Sequence, residues 1–469
     1  MNTIWRLDIQ LLNMADREGL GWAMVAVGCL LVIAFGKLPK AFLVGMAVLL
    51  GSLVWFKPLV VLAHVLRWWI FLILALRGGL FVMSRTTVPS SGRVPMSLVA
   101  LGGMSILSAA WADDARFAIL LAGTFVCTLI LAFVVAWRLM DSEDFLPYLC
   151  QGALVVALAL QGLGVLFGLA AIITEDPWLI KRTGVETRFS GMTMNANGNG
   201  VFAALFWPVV LAAPREYLGR MAWLRWPALA ALLICIVFSG SRTAAGVTLM
   251  TTILYGLYRY RVGAILATTL VAACGAAILL GTPLEGLEGS AVDTVVVRSD
   301  SLSDFGGRLE RWEMGWDVAQ ESPLIGHGWG AARTLGEQDT AMALELGRVR
   351  YASNLHSAHL SLLVDVGWIG LGLFWLFAAG IVRSGLRILA APISPENTVS
   401  MLFFASTMGL LVDTLVHGGI LSAGSPNALL FWFSAALVTK QAQRLGAYVP
   451  AQEPEAVIDP EPRLHPAGP

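Results

Sequence analysis

Charge is what this sequence has least of. Only 13% of its 469 residues are charged, about half of what soluble domains carry. The 31 Lys and Arg are matched by 31 Asp and Glu, so the formal net charge is zero. Without a basic excess there is no field to hold a nucleic acid, which is excluded as a partner. Cysteine is scarce as well. Cys29, Cys127, Cys150, Cys235 and Cys274 lie in or at the ends of apolar stretches, with no C-x-x-C spacing. They read as small buried hydrophobes, and neither a disulfide framework nor a Cys-ligated metal is expected. The Asp113-Asp114 pair reads as a solvated turn, so no carboxylate set for a hard divalent cation is expected either. The first 20 residues are amphipathic and mixed in charge, and lack the basic-then-apolar layout of a cleavable signal.

What the chain has in quantity is hydrocarbon: 57% of residues are hydrophobic. Apolar stretches fall near 21–36, 40–56, 59–83, 96–112, 116–138, 148–172, 199–213, 222–239, 242–258, 262–281, 360–382, 399–421 and 424–439. A spanning helix needs about 20 mostly apolar residues, and the backbone must satisfy its own hydrogen bonds in lipid. The expected fold is therefore all-α, a polytopic transmembrane helical bundle. Positive residues orient it. Arg215, Arg220 and Arg225, then Arg259 and Arg261, Arg383 and Arg387, and Lys440 and Arg444 mark cytoplasmic connections. The stretch 173–198, the turn near 239–242, the long insert 282–355 and the 421–424 turn become periplasmic. The C-terminus falls inside. Thirteen candidates would then place the N-terminus outside; Lys37 and Lys40 flank a weak first pair, and about twelve spans are expected. The chain divides into an N-terminal amphipathic segment (1–20), a transmembrane bundle (21–281), a large, partly helical periplasmic loop (282–355) and C-terminal transmembrane helices (356–440). A disordered cytoplasmic tail (446–469), rich in Pro and acidic residues, follows.

Within the insert, Leu309, Trp312, Trp316 and Ala319 recur at helical spacing. Ser303 or Asp304 is placed to cap that helix and Pro323 to end it. Ionisable groups beside apolar segments are functional candidates by default, and four fall on the periplasmic side. Arg188 sits in TRFSGMTMNANGNG, Arg242 in FSGSRTAAG, Arg308 in GGRLERW and His356 in SNLHSAHLSLLVDVG. Arginine donates two parallel charge-assisted hydrogen bonds and never deprotonates, which suits a diphosphate. A histidine beside it suits removal of a proton from an attacking hydroxyl. Each residue also has a plainer reading: an interface anchor for an arginine, a helix pair for Arg311, a surface or capping group for a histidine, and a turn for Asn195 and Asn197.

The order of the pieces adds more. Arg188-Phe-Ser190-Gly191 is followed by Asn195 and Asn197, then by Ser241-Arg242. Next come Gly307-Arg308-Leu309-Glu310-Arg311-Trp312 and Pro323-Leu324-Ile325-Gly326-His327-Gly328. His356-Ser357-Ala358-His359-Leu360, with Asp365 and Gly367, closes the series. Over roughly 100–435 this resembles the O-antigen ligase and polymerase family of membrane glycan transferases. It departs from that pattern at Ser357, where Asn is usual, and at Asp365, where Glu is usual. The resemblance implies an enzyme of the bacterial inner membrane that works without a metal or cofactor. Its donor would be an undecaprenyl-diphosphate-linked glycan and its acceptor a lipid A core hydroxyl or, for a polymerase, a second lipid-linked glycan. It implies diphosphate binding by Arg188, Arg242 and Arg308, a general base at His356, and support from Arg311, His359, Asn195 and Asn197. The spacing to Asp365 and Gly367 selects His356 over His359; His327 is a weaker third. A metal-dependent transferase and a glycan flippase are the rival readings.

Overall fold

The structure, a computed structural model, describes residues 19–50, 66, 69–77, 80, 94–173, 180–183, 186–193, 196–260, 308–335, 355–421 and 426–447. The expected capping pair Ser303 and Asp304, Asn195, the stretch 262–281 and the tail beyond 447 lie outside the described residues.

The helices are α1 (Gly19–Phe35), α2 (Leu38–Leu50), α3 (Met96–Leu107), α4 (Ala115–Ile130), α5 (Phe145–Ala157) and α6 (Ala196–Ala212). They continue as α7 (Arg225–Phe238), α8 (Arg242–Tyr260), α9 (Arg308–Glu321), α10 (Ala358–Ala390), α11 (Pro395–Asp413) and α12 (Pro426–Ala447). Wider π turns at Leu131–Ala136 and Leu158–Gly162 carry α4 and α5 onward as continuous rods. Among the described residues, the runs Ala115–Leu139, Phe145–Leu169, Arg215–Phe238 and Ala358–Ala390 are long and apolar enough to cross a membrane. Shorter apolar helices occupy Ala26–Phe35, Met96–Ala110 and Ala196–Ala212.

Local chemistry sets the helix starts. The Asp114 carboxylate accepts from the Phe117 backbone N–H at 3.0 Å, so this half of the acidic pair is a cap for α4. Ser394 caps α11 in the same way, ahead of Pro395 at the first helical position. Between helices, apolar side chains gain little from leaving lipid, so contact rests on close packing and polar links. Small residues permit it: Gly200 of α6 lies against Ser239 and Ala244, Gly409 of α11 against Val247, and Gly385 of α10 against Phe404. The Ser406 hydroxyl donates to the Leu205 carbonyl across α11 and α6 at 3.0 Å.

Three features add to the expected helical bundle. The chain is helical but not wholly so: β1 (Ile180–Thr183) and β2 (Glu186–Phe189) form an antiparallel ribbon that places Lys181 opposite Arg188. The stretch 173–198 shows no alternating pattern in its sequence to announce it. Lys440 and Arg444 follow the apolar stretch 424–439 as expected from the sequence, and α12 runs on to Ala447, so both cations ride on the helix. Finally, the expected span 360–382 is part of a 33-residue run broken at Gly367, whose φ is 64° and ψ is −167°.

That break organises the loop. Pairing of segment 323–328 with it makes up for the hydrogen bonds the broken helix cannot close. His327 N–H donates to the Val364 carbonyl at 2.8 Å and Gly328 N–H to that of Asp365 at 2.9 Å. On the far side, Trp368 N–H donates to the Pro323 carbonyl at 2.8 Å and Ile369 N–H to that of Leu324 at 3.2 Å. Two glycines make the approach possible. A Cβ on Gly326 would sit 2.5 Å from the Asp365 carbonyl carbon, and one on Gly367 would sit 2.3 Å from the Leu324 carbonyl. Both also have positive φ, where L side chains are strained. Asp365 completes the junction: its buried Oδ1 accepts from the Ala332 N–H at 2.8 Å, capping the helical turn at 331–335.

The loop reaches further into the bundle through Trp329. Its backbone N–H donates to the Ser108 hydroxyl at 2.9 Å, and its ring stacks on Phe125 at 4.6 Å between centroids. Phe125 in turn meets Trp432 edge-on at 5.5 Å. Bringing Trp329 out of water contributes about 2–3 kcal/mol to docking, with a further ~1 kcal/mol from the ring pair.

Candidate functional site

His356 has an unusual backbone. Its φ of 52° is the one positive value at a non-glycine among the described residues. Histidine tolerates this better than branched side chains do, but the conformation needs holding. Two anchors hold it. The Trp312 indole donates to the Leu355 carbonyl at 3.1 Å, and Ala358 N–H donates to the Thr414 carbonyl at 2.9 Å. Ser357 then caps α10, its hydroxyl accepting from Leu360 N–H at 3.3 Å. The half-buried His356 ring lies between fixed neighbours on both sides.

A second histidine stands beside it. The His417 ring is 6.4 Å from that of His356, at 70°. His417 Nδ1 is 2.7 Å from Oδ1 of Asp413, whose side chain is 4% exposed. This carboxylate fixes the ring's orientation and leaves the far nitrogen for another partner. Sequence reading passed over this pair. The available signal was D-x-x-x-H at helical spacing, 413 to 417, at the end of a polar-poor stretch.

His359 is turned elsewhere. Its ring packs against Phe374 at 5.6 Å and Trp375 at 6.3 Å, on the far limb of the broken helix. His327 is engaged at the junction, with Nε2 2.8 Å from the Val318 carbonyl.

The Arg242 corner is built from serines. Ser241 caps α8, accepting from Ala244 N–H at 3.3 Å, while its own N–H donates to the Ser239 hydroxyl at 3.2 Å. Arg242 follows as the first residue of α8, half-buried. The turn after Arg188 packs nearby. Phe189 lies against Gly168 of the α5 rod, and Gly191 against the Asn199 amide of α6. Asn197 is half-buried in the first turn of α6. Arg188 and Arg308 are placed by backbone, at the ribbon and as the first residue of α9. Arg311 follows, half-buried, one turn along α9.

These pieces share one end of the bundle. The first turns of α6 and α8 meet at Gly200 and Ala244, the start of α8 meets the end of α11 at Val247 and Gly409, and the end of α11 binds the start of α10 through Thr414. Arg242, Asp413, His417, Ser357 and His356 therefore lie along one rim, with the Arg188 turn above α6. Such a rim combines a fixed cation, a hydrogen-bonded carboxylate–imidazole pair and a second imidazole held in a set pose.

The opposite end is basic and tied by a different cluster. Asp141 accepts from Lys440 at 2.7 Å and Arg444 at 2.6 Å. Lys440 also donates to the Trp137 carbonyl. Partial burial alone pushes the Asp141 carboxyl up, but the two cations outweigh it and hold the group below the usual carboxylate range.

Residues 227–375, from α7 into the second limb of α10, match the family model described as O-antigen ligase. No curated protein matches the chain.

Proposed function

Residues 227–375 place this chain in the O-antigen ligase family, and from that premise we propose that it moves a glycan from undecaprenyl diphosphate to a lipid A core hydroxyl. Membership with several long apolar helices makes it an integral membrane protein of glycan-transfer type. The finer reading puts about twelve spans in the bacterial inner membrane, with the 282–355 loop and the active site facing the periplasm. Arg138, Arg387, Lys440 and Arg444 at the opposite end favour that orientation, since cytoplasmic ends carry the cations.

The observation that carries the reading is the rim itself: His356 beside the Asp413–His417 pair, at the same end of the bundle as Arg242. In the reaction the acceptor O–H gives its proton to a ring nitrogen of His356. The acceptor oxygen bonds to the anomeric carbon, and the bond from that carbon to the diphosphate breaks. The electron pair leaves on the diphosphate, where Arg188 and Arg242, supported by Arg308 and Arg311, offset the growing charge. Asn195 and Asn197 are assigned supporting roles on the donor side by the family resemblance, while His359, packed on Phe374 and Trp375, is left to the groove beside α10. The Asp413–His417 pair takes the proton onward from His356 to water. Bonds made and broken balance without an electron carrier, and in this reading the arginines offset the diphosphate charge that a metal ion would otherwise meet.

The test is the surface glycan of a deletion strain. Core lacking all long chains, with finished chains accumulating on the prenyl carrier, is the expected result. Core carrying a single repeat unit would make the protein a polymerase, and an unchanged glycan profile would sink both.

A further inference from the structure

Along α9, Leu309, Trp312, Glu313 and Trp316 share one helical face. That face does not press fully onto the bundle. It roofs an open groove of about 470 Å³ whose floor is made by the two limbs of α10. Four indoles line it, Trp312 and Trp316 from α9 and Trp368 and Trp375 from α10, together with Glu313 and His359. Trp316, Trp368 and Trp375 are 47%, 45% and 50% exposed, so protein does not cover their faces. Ser357 is part of the wall, so the groove begins at the residue next to His356.

The groove is walled by α9 and α10, whereas Arg242 opens α8, which packs chiefly on α6 and α11. Helix α8 packs on α11, α11 on α10, and α10 on α9.

We propose that this groove is the acceptor subsite and that it binds a saccharide ring of the acceptor glycan, stacked on the indole faces. The inference rests on the glycan-transfer reading and deepens it. Two features favour a sugar over a hydrocarbon chain. Leucine suffices to line an alkyl groove, whereas broad indole faces match the C–H face of a pyranose, leaving its rim hydroxyls to hydrogen-bond. Glu313 is costly beside an alkyl chain in an apolar wall but is a good acceptor for hydroxyl groups. The position supplies the rest. A ring held here lies beside Ser357, the chain neighbour of His356, within reach of the proposed base.

The full chain in lipid nanodiscs, probed by saturation-transfer NMR, gives the test. The probe is the oligosaccharide mixture released by mild acid from the source cell's surface glycolipids. Saturation of ring protons is expected with the wild type. In Trp316→Leu/Trp375→Leu binding should weaken about tenfold, while Trp316→Phe/Trp375→Phe should stay within about threefold, because stacking needs an aromatic face. The Leu pair should also raise KM for the acceptor and leave KM for the lipid-linked donor unchanged. Glu313→Ala, at an exposed position on the groove-facing side of α9, should weaken oligosaccharide binding in a chain whose thermal melt is unaltered. No ring saturation in the wild type, or a Leu pair that binds like the wild type, would overturn the proposal. Saturation that the Leu pair removes, in a protein that transfers no glycan, would retain the groove and reject the transfer reading.

Discussion

His356 is held in a left-handed backbone by the Trp312–Leu355 and Ala358–Thr414 hydrogen bonds. Replacing it therefore tests chemistry separately from shape. His356→Gly accepts that conformation without strain and should melt as the wild type does, while glycan transfer, read on a gel, disappears. His356→Ala should be equally inactive and slightly less stable. Transfer at wild-type rates in either variant would remove His356 from the mechanism. At His417 the expectation is graded: His417→Ala or Asp413→Asn should lower turnover about a hundredfold, the usual reach of an acid–base partner. The substitutions should also change the slope of the pH–rate profile. At this scale the sequence singles out residues that sit inside a spaced motif, as His356 and Ser241-Arg242 do. It was silent on Asp413 and His417, which lie 57 and 61 residues beyond His356 and meet it only because α11 runs back alongside α10. A pair at i, i+4 is common on any helix, and nothing local to it speaks of a distant partner.

Helix α10 and segment 323–328 are one unit made from two places in the chain. The glycines and aspartate that read as motif residues prove to be junction residues, with Gly326 and Gly367 admitting the backbones and Asp365 capping the turn at 331–335. Gly367→Ala forces a Cβ onto the Leu324 carbonyl at positive φ and should cost about 2 kcal/mol or more. Its signature is an early loss of the loop, seen as new protease cleavage between 308 and 335 with the spanning helices intact. Asp365→Ala removes the cap and should cost about 1–2 kcal/mol, whereas Asp365→Asn keeps an accepting oxygen and should be milder. Unchanged protection in Gly367→Ala would mean the junction does not hold the loop. The helix over 308–321 was legible because its periodicity is local. The break in α10 was not, because a glycine inside an apolar run usually stays helical in membranes. The ribbon was missed for the reverse reason: two four-residue strands are too short to show a period.

Across the whole molecule, the end opposite the rim is held by Asp141 with Lys440 and Arg444, joining the end of the α4 rod to α12. The Asp141 carboxyl is held below its ordinary value. It therefore contributes stability that is fully present above the unfolded-state value of about 3.9 and is lost as pH falls through the lower folded value. Melting temperature in detergent should be flat above about pH 5 and fall below about pH 4, and Asp141→Asn should reduce that fall. A variant whose acid limb matches the wild type would assign the loss to other carboxylates. The helical, membrane-embedded character of the chain was legible from composition alone, since few charges and long apolar runs leave a spanning chain few alternatives. The order of packing was not, because helices in lipid choose neighbours by small-residue contacts such as Gly200 on Ala244, which hydropathy does not record.

The backbone pairing between 323–328 and 364–369 also sets a schedule for biosynthesis. Under the proposed periplasmic orientation, the loop emerges from the ribosome and is translocated before the residues that supply its hydrogen-bond partners have been made. Until α10 enters the bilayer, those N–H and C=O groups can pair only with water. A nascent chain arrested before residue 355 should therefore present an unprotected loop to envelope proteases, and one arrested after the complete α10 should not.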